Sequence, residues 1–427
     1  MDSQRNAFVA SELTVHHLKH RFVERNVNRL CSLSEALRLP ITNIDPQTIL
    51  ENAVRSTGLS DFGSDAFREP MERTIEAAHA PQYTALGHAF LRALFVRAAS
   101  HRLQLFDLVK NQPEIFQKEV KRPIFVLGFP RTGTTVLQNL LEQEPGRRAL
   151  RFYELSNPIP LHDDPKVDKA RRLRNAKRDL WITYQCVPEL RAVHETMPDT
   201  TEECWYLFSN TYAVYNMCIS QGLKDFGEWL LTQDLTWAYQ EYKLQLQLLM
   251  HANPAESLVL KCPEHLWFLE PLLKVFPDAV IVWTHRDPLE SVASYSSMVS
   301  LARRTMEGVF DPPDVGAHIA HTFHQGVTRA MEVRDRVGED RFFDVNFSDL
   351  VKNRRGTVEQ ICERFDLPLT DAGRANMKTW LDTPRHDGKG KHKYHHGFFD
   401  LDPKAIRAKY RDYIERFNIP ITKFVEE

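Results

Sequence analysis

The run Gly128-Phe129-Pro130-Arg131-Thr132-Gly133-Thr134-Thr135 has the residue types of an anion-binding loop. Its glycines let backbone N–H groups turn toward an anion, and the helix start at 133–136 offers its positive end to negative charge. Set against the nucleotide-binding pattern G-x-x-x-x-G-K-[ST], Gly128, Gly133 and Thr135 are in place, but Thr134 stands where the lysine belongs. That lysine normally meets the β- and γ-phosphates of a nucleoside triphosphate beside Mg²⁺. With the cation at Arg131 inside the loop, the pattern suits a donor with fewer anionic oxygens and no metal. The bland alternative is a glycine-containing strand-to-helix turn that holds nothing.

A second anion site follows the apolar run Ala279–Trp283, in Thr284-His285-Arg286-Asp287-Pro288-Leu289-Glu290. Asp287 as N-cap, Pro288 as first helical residue and Glu290 two residues later read as a helix start with a capping box. That gives Asp287 a structural task, too late after the strand for a metal-binding aspartate. Arg286 lies just before the cap and Ser294 eight residues after Arg286. An arginine there can meet a phosphate at the carboxyl end of a strand, where open α/β sheets bind ligands. Alone it would more often be a surface or ion-pair arginine.

Together the two segments resemble PAPS-dependent sulfotransferases, enzymes that use 3′-phosphoadenosine 5′-phosphosulfate as donor. The loop is similar to their 5′-phosphosulfate loop, in the mostly bacterial branch with Pro-Arg-[Ser/Thr]-Gly-Thr-Thr. Arg286-Asp287-Pro288 with Ser294 resembles their 3′-phosphate motif. The similarity extends to Leu260–Leu266, Asp344–Val351, Phe62–Pro70, and Lys391–Tyr394 before Asp402. It implies a P-loop-like α/β fold, and transfer of a sulfuryl group from PAPS to an acceptor hydroxyl. It makes Arg131, Thr132, Gly133, Thr134, Thr135, Arg286 and Ser294 donor-binding residues. Lys389 and Lys391, in the basic loop Gly388–His396, are further candidates, because cytosolic relatives close such a loop over the 3′-phosphate.

Sulfuryl transfer needs an in-line nucleophile, a base for its proton, and cations on the leaving oxygen. Arg131 is one cation. Lys261, at the end of a predicted strand, is the second, since the family sets a lysine there. Glu154 in Arg151-Phe152-Tyr153-Glu154 ranks first as base, because related sulfotransferases carry a catalytic glutamate in that region. His194 follows, since imidazole titrates near neutrality. Glu202, Glu203, His265 and His392 remain open, with Pro263 standing where the cytosolic branch has its histidine. The loop histidines lack acidic or cysteine partners at ligand spacing, so no metal is expected.

These residues need a sheet to position them. Pro123–Leu127, Ser257–Leu260, Ala279–Trp283 and Phe342–Val345 read as strands, the first three as continuous apolar runs buried on both faces. Val136, Leu137, Leu140 and Leu141 fall on one face of the helix after the loop. Amphipathic Trp267–Phe276 joins two strands, and Ser348–Arg364 and Ala405–Phe417 read as helices. The expectation is a P-loop-like, doubly wound parallel sheet over residues 120–427, with a helical insert at about 166–251. Residues 1–119 form a helical N-terminal region opening near Leu13, with Ala89–Phe106 as one helix and a break at Asp65–Pro70. Trp181, Trp205, Trp229 and Trp237, with Tyr184, Tyr206, Phe208, Tyr212 and Tyr215, either line an apolar acceptor pocket or pack the insert.

Composition narrows the classes. The 427 residues are 42% hydrophobic and 26% charged with formal net charge −2, which argues against nucleic acid as a partner. The N-terminus has no apolar core of signal-peptide length, and Arg92 and Arg97 interrupt the stretch Ala89–Ala99. The six cysteines show no ligand or disulfide spacing and read as reduced core residues of a cytoplasmic protein. The expected partner is a small-molecule or lipid acceptor, and the composition leaves room for a homo-oligomer. Two rival readings are a P-loop kinase or hydrolase, and a non-catalytic module that binds adenosine bisphosphate.

Overall fold

A computed structural model of the chain describes residues 16–37, 39–308, 311–383 and 395–422. Five strands form one parallel sheet: β1 Ile124–Gly128, β2 Arg147–Ala149, β3 Ser257–Lys261, β4 Val280–His285 and β5 Phe342–Asn346, in the order β2-β3-β1-β4-β5. Central β1 pairs with both β3 and β4, placing Ile124 beside Val259 and Val280. The apolar run is continuous because both faces are covered, and successive side chains divide between two cores. Phe125, Leu127, Leu258, Leu260, Ile281 and Trp283 face one core; Ile124, Val126, Val259, Val280 and Val282 face the other.

The second core is closed by Leu137, Leu140 and Leu141 of the Thr134–Leu141 helix, with Val358 and Ile361 of Arg354–Arg364. The first core is larger. It takes in the N-terminal helices Pro46–Thr57, Arg68–Ala78 and Ala85–Asn111, through Ile49, Met71, Leu91 and Phe95. The insert contributes Phe208, Tyr212, Tyr215 and Leu246 to the same core. A buried pair, Arg102 and Glu241, ties Ala85–Asn111 to the insert helix Thr236–Ala252, and Arg102 lies over Phe67 at 4.2 Å. The N-terminal region and the insert therefore share one core with the sheet.

Some expectations shift in detail. β2 is an added edge strand, three residues long and carrying two arginines, too short and polar to read as a strand. The helix expected over Ser348–Arg364 is two, Phe347–Lys352 and Arg354–Arg364; Asn353 between them accepts from the Gly356 N–H and caps the second. Likewise Ala405–Phe417 divides into Pro403–Lys409 and Arg411–Arg416 at Tyr410, a buried side chain whose hydroxyl reaches the Ala320 carbonyl at 2.7 Å. Trp267–Phe276 shortens to the helix Leu269–Val275. All six cysteines are buried and free. Among the described residues no helix is long and apolar enough to cross a membrane. Leu13 lies outside the described residues.

Candidate active site

The loops after β1, β3 and β4 open at the carboxyl end of three adjacent strands. Gly128 ends β1 at φ 140°, where a Cβ would run into the side chain and carbonyl of Thr284 on β4. Phe129 anchors the loop by stacking on Phe323 at 4.5 Å. Thr132 donates to the Phe129 carbonyl at 2.6 Å and lies in hydrogen-bond contact with the Thr284 hydroxyl at 2.5 Å, so its side chain shapes the loop and does not reach out of it. Gly133 turns the chain at φ 88° into the Thr134–Leu141 helix; a Cβ there would come within 2.7 Å of Leu350 Cδ2. The first N–H groups of that helix have no acceptor within it. Arg131 adopts φ 72°, a left-handed conformation that costs an L-residue roughly 1–2 kcal/mol.

Lys261, the last residue of β3, is buried. Its Nζ donates to Thr135 Oγ1 at 3.3 Å and to Glu203 Oε1 at 3.1 Å, with Glu202 Oε1 at 4.0 Å. The two glutamates reach it because 200–204 runs along the strand ends: Phe152 N bonds Thr200 O, Glu202 N bonds Leu150 O, and Cys204 N bonds Lys261 O. Burial alone would lower the Lys261 pKa, but Glu203 and Glu202 outweigh it and hold the ammonium charged.

His194 enters the same cluster. Its Nε2 lies 3.0 Å from Glu202 Oε2, which also accepts from the Thr196 hydroxyl at 2.9 Å, while Glu202 Oε1 accepts from the Glu203 N–H. The Glu202 carboxylate raises the imidazole above its ordinary value. Burial would push Glu202 up, yet the charge and hydrogen bond of His194, with Lys261 behind, hold its carboxyl well below the usual range. Arg131 Nη1 reaches the Val193 carbonyl at 3.5 Å, which sets the loop against this segment.

Arg286 follows β4. Its Nη1 donates to the Arg131 carbonyl at 2.9 Å, its Nη2 to Glu290 Oε2 at 2.9 Å, and its guanidinium lies 4.6 Å from the Phe347 ring centroid. Glu290 thus meets Arg286, where the expected capping box has it meeting the cap backbone. Asp287 caps the Pro288–Glu307 helix by accepting from Leu289 N, and its other oxygen takes Arg407 and the Thr422 N–H. Ser294 is buried on that helix and, among the described residues, its hydroxyl has no hydrogen-bond partner, as is the case for Ser291 and Ser296.

The structure does not bring Glu154 into this group. Its carboxylate accepts both contacts from Arg148 Nη1, at 3.0 and 2.9 Å, and the Arg151 N–H at 2.9 Å. Arg148 in turn binds the Leu249 and Asn253 carbonyls. Glu154 is thereby occupied in closing the Phe152–Ser156 helix and holding β2, and it shares no hydrogen bond or ion pair with Lys261, Glu202, Glu203 or His194. His265 is a core residue, bonded to the Tyr239 hydroxyl at 2.8 Å and Cys204 Sγ at 3.4 Å. Lys389, Lys391 and His392 lie outside the described residues. Of the aromatic cluster, Phe208, Tyr212 and Tyr215 pack the core, Trp205 and Tyr206 stack half-buried, and Trp181 is 61% exposed.

Comparisons with known proteins agree with this fold. A family model described as "Sulfotransferase family" matches residues 123–371, more than half of the chain. The chain is 22% identical over 263 residues to the omega-hydroxy-beta-dihydromenaquinone-9 sulfotransferase Stf3 of Mycobacterium bovis, and equally to that of Mycobacterium tuberculosis. The match covers 57% of this chain and 63% of those relatives' length. Among solved structures, sulfotransferase STF1 of Mycobacterium tuberculosis superposes with TM-score 0.76 at 27% identity, covering 86% of this chain and 98% of that one. Sulfotransferase STF9 of Mycobacterium avium superposes with TM-score 0.78 at 27% identity, covering 88% and 97%.

Proposed function

The chain belongs to the sulfotransferase family, and from that premise we propose that it transfers a sulfuryl group from PAPS to a hydroxyl on a hydrophobic acceptor. The observation that carries the proposal is Lys261, a buried ammonium strung between Thr135 of the loop and Glu203. A lysine so placed can meet the oxygen that gains charge as the donor is cleaved, with no reorganisation at the moment of reaction.

PAPS supplies an activated sulfuryl group on a phosphate leaving group. Toward it, the N–H groups at the start of the Thr134–Leu141 helix and Arg131 would hold the 5′ end, with Thr134 and Thr135 at the helix start. Arg286 and Ser294 would hold the 3′-phosphate, the buried Ser294 hydroxyl having no partner among the described residues. His194, oriented by Glu202, takes the acceptor's proton as the acceptor oxygen bonds sulfur and the sulfur–oxygen bond to phosphate breaks. Lys261 stabilises the phosphate oxygen released. In this reading the base moves from Glu154 to His194, because Arg148 and the Arg151 N–H already occupy Glu154.

A hydrophobic acceptor is supported by the relatives named for a hydroxylated menaquinone. The six free cysteines support a cytoplasmic setting. A magnesium-dependent kinase is disfavoured by Thr134 in the lysine's position and by Asp287, whose carboxylate is spent on Leu289, Arg407 and Thr422. The test is incubation with PAPS and a panel of long-chain alcohols and sugars, following acceptor mass and release of adenosine 3′,5′-bisphosphate. Sulfated alcohol is the expected product. Sugar turnover equal to that of the alcohols would remove the hydrophobic-acceptor reading, and phosphorylated product from ATP would replace the whole of it.

A further inference from the structure

The helix Pro165–Cys186 carries seven basic and two acidic side chains in a chain whose formal net charge is −2. Both acids are turned inward. Asp168 is buried against Arg172, and Asp179 pairs with Arg97 at 2.7 Å and with Arg178. What remains outward is cationic: Lys166, Lys169, Arg171, Arg174, Lys177 and Arg178 are all exposed. Asp163 and Asp164 precede the helix at the end far from Trp181, and Asp164 is engaged as its N-cap.

This arc differs from an ordinary solvated charged face in what sits within it. Trp181, 61% exposed, follows Arg178 and Lys177 by three and four residues and Arg174 by seven, which puts all four on one side of the helix. Ile182 beside it is 41% exposed. Cations around an outward tryptophan suit an interface where the ring enters the headgroup layer and the long basic side chains reach phosphates. A nucleic acid or an acidic protein would use the cations but gives no reason to expose Ile182.

The helix is also joined to the candidate site. In its last turn the Tyr184 hydroxyl donates to the Thr196 carbonyl at 3.0 Å and accepts the Thr196 N–H at 2.8 Å. Thr196 then donates to Glu202, the partner of His194. Met197, the next residue, is 52% exposed. We propose that Pro165–Cys186 is an interfacial anchor that seats the protein on an anionic lipid bilayer, with the His194–Met197 segment turned toward the membrane that holds its acceptor. The orientation toward an acceptor rests on the hydrophobic-acceptor reading; the docking itself rests on this helix.

The test is co-sedimentation of the full chain with vesicles of phosphatidylcholine alone and with equal parts phosphatidylglycerol. Binding to the anionic vesicles is expected to exceed that to neutral ones by about tenfold or more and to weaken with salt. Arg174→Glu with Lys177→Glu is expected to lose roughly tenfold, and Trp181→Ala several-fold, on the same vesicles. Equal or absent binding to the two vesicle types, or variants that bind like the parent, overturns the proposal. Preference for heparin or duplex DNA that Trp181→Ala leaves unchanged overturns it too, in favour of a polyanion site. The double variant is also assayed for adenosine 3′,5′-bisphosphate binding and for transfer to a water-soluble alcohol. Both intact with vesicle binding lost supports the anchor; both absent in the parent chain sinks the sulfotransferase reading while leaving vesicle binding to be judged on its own.

Discussion

Arg286 donates a hydrogen bond to the backbone carbonyl of Arg131 at 2.9 Å, so the arginine that follows β4 holds the loop that follows β1. The two anion motifs are one mechanical unit: Arg286 steadies the left-handed turn at Arg131 while its own guanidinium lies over Phe347.

That coupling makes a specific prediction for Arg286→Ala. Adenosine 3′,5′-bisphosphate should lose about 1.5–3 kcal/mol of binding, roughly tenfold to over a hundredfold. AMP should lose less, through the loosened loop alone. Titration calorimetry of both ligands checks this, and equal losses would remove the 3′-phosphate role from Arg286.

Lys261→Met should lower kcat by about 10²- to 10³-fold while changing bisphosphate affinity little. Removing the ammonium leaves Glu203 without its cation and Glu202 with His194 alone, so Lys261→Met is also made together with Glu203→Gln to separate lost folding from lost chemistry. Single-turnover rates for both variants decide it. A rate within a few-fold of the parent in the paired variant would exclude Lys261 from the chemistry.

The His194–Glu202 pair predicts a pH profile. A base must be neutral to act, and Glu202 raises the imidazole above the ordinary histidine value of about 6.5. The rising limb of kcat should therefore lie above that value. Glu202→Gln removes the raising charge, so the limb should move to lower pH as the maximal rate falls. A limb that stays in place in Glu202→Gln assigns the base to another group. The sign for stability is the reverse. The contribution of His194 is full below the unfolded histidine pKa and is lost as pH rises through the folded one, whereas that of the lowered Glu202 carboxyl is lost only in strong acid.

Asp344 supports the end of β4 from beside it. It accepts from His285 Nε2 at 2.9 Å and from two Arg334 nitrogens at 2.7 and 2.8 Å. Burial opposes its charge, but the hydrogen bonds from Arg334 and His285 prevail and bring its pKa down to about 2. Asp344→Asn should destabilise the protein by about 1–2 kcal/mol near neutral pH, read from chemical denaturation, because Arg334 keeps Glu339 and the Asp344 carboxyl is partly exposed. The carboxylate's contribution is present above the unfolded value near 3.8 and is lost as pH falls through about 2, so the two proteins should converge in acid. A gap unchanged down to that pH would assign the effect to shape alone.

How far this was legible in sequence follows from which contacts are local. β1 and β4 could be read because burial on both faces makes an unbroken apolar run. β2 could not, since an edge strand of Arg147–Ala149 has no such demand. Arg131, Arg286 and Ser294 stood out by spacing within short motifs. The His194–Glu202 pair spans eight residues of irregular chain, and it forms only because 200–204 is stitched to Leu150, Phe152 and Lys261. The engagement of Glu154 was hidden for the converse reason. Its partner Arg148 is only six residues away, but a helix start with Arg151 at the cap position lacks the Ser, Thr, Asp or Asn that would have announced a capping role.

The most direct test of the central claim is calorimetric titration of the chain with adenosine 3′,5′-bisphosphate in the presence of a chelator, set beside ATP with Mg²⁺. Tight, metal-independent binding of the bisphosphate is expected, at least about a hundredfold stronger than that of ATP. Preference for magnesium-bound ATP, or no binding of the bisphosphate, would contradict it.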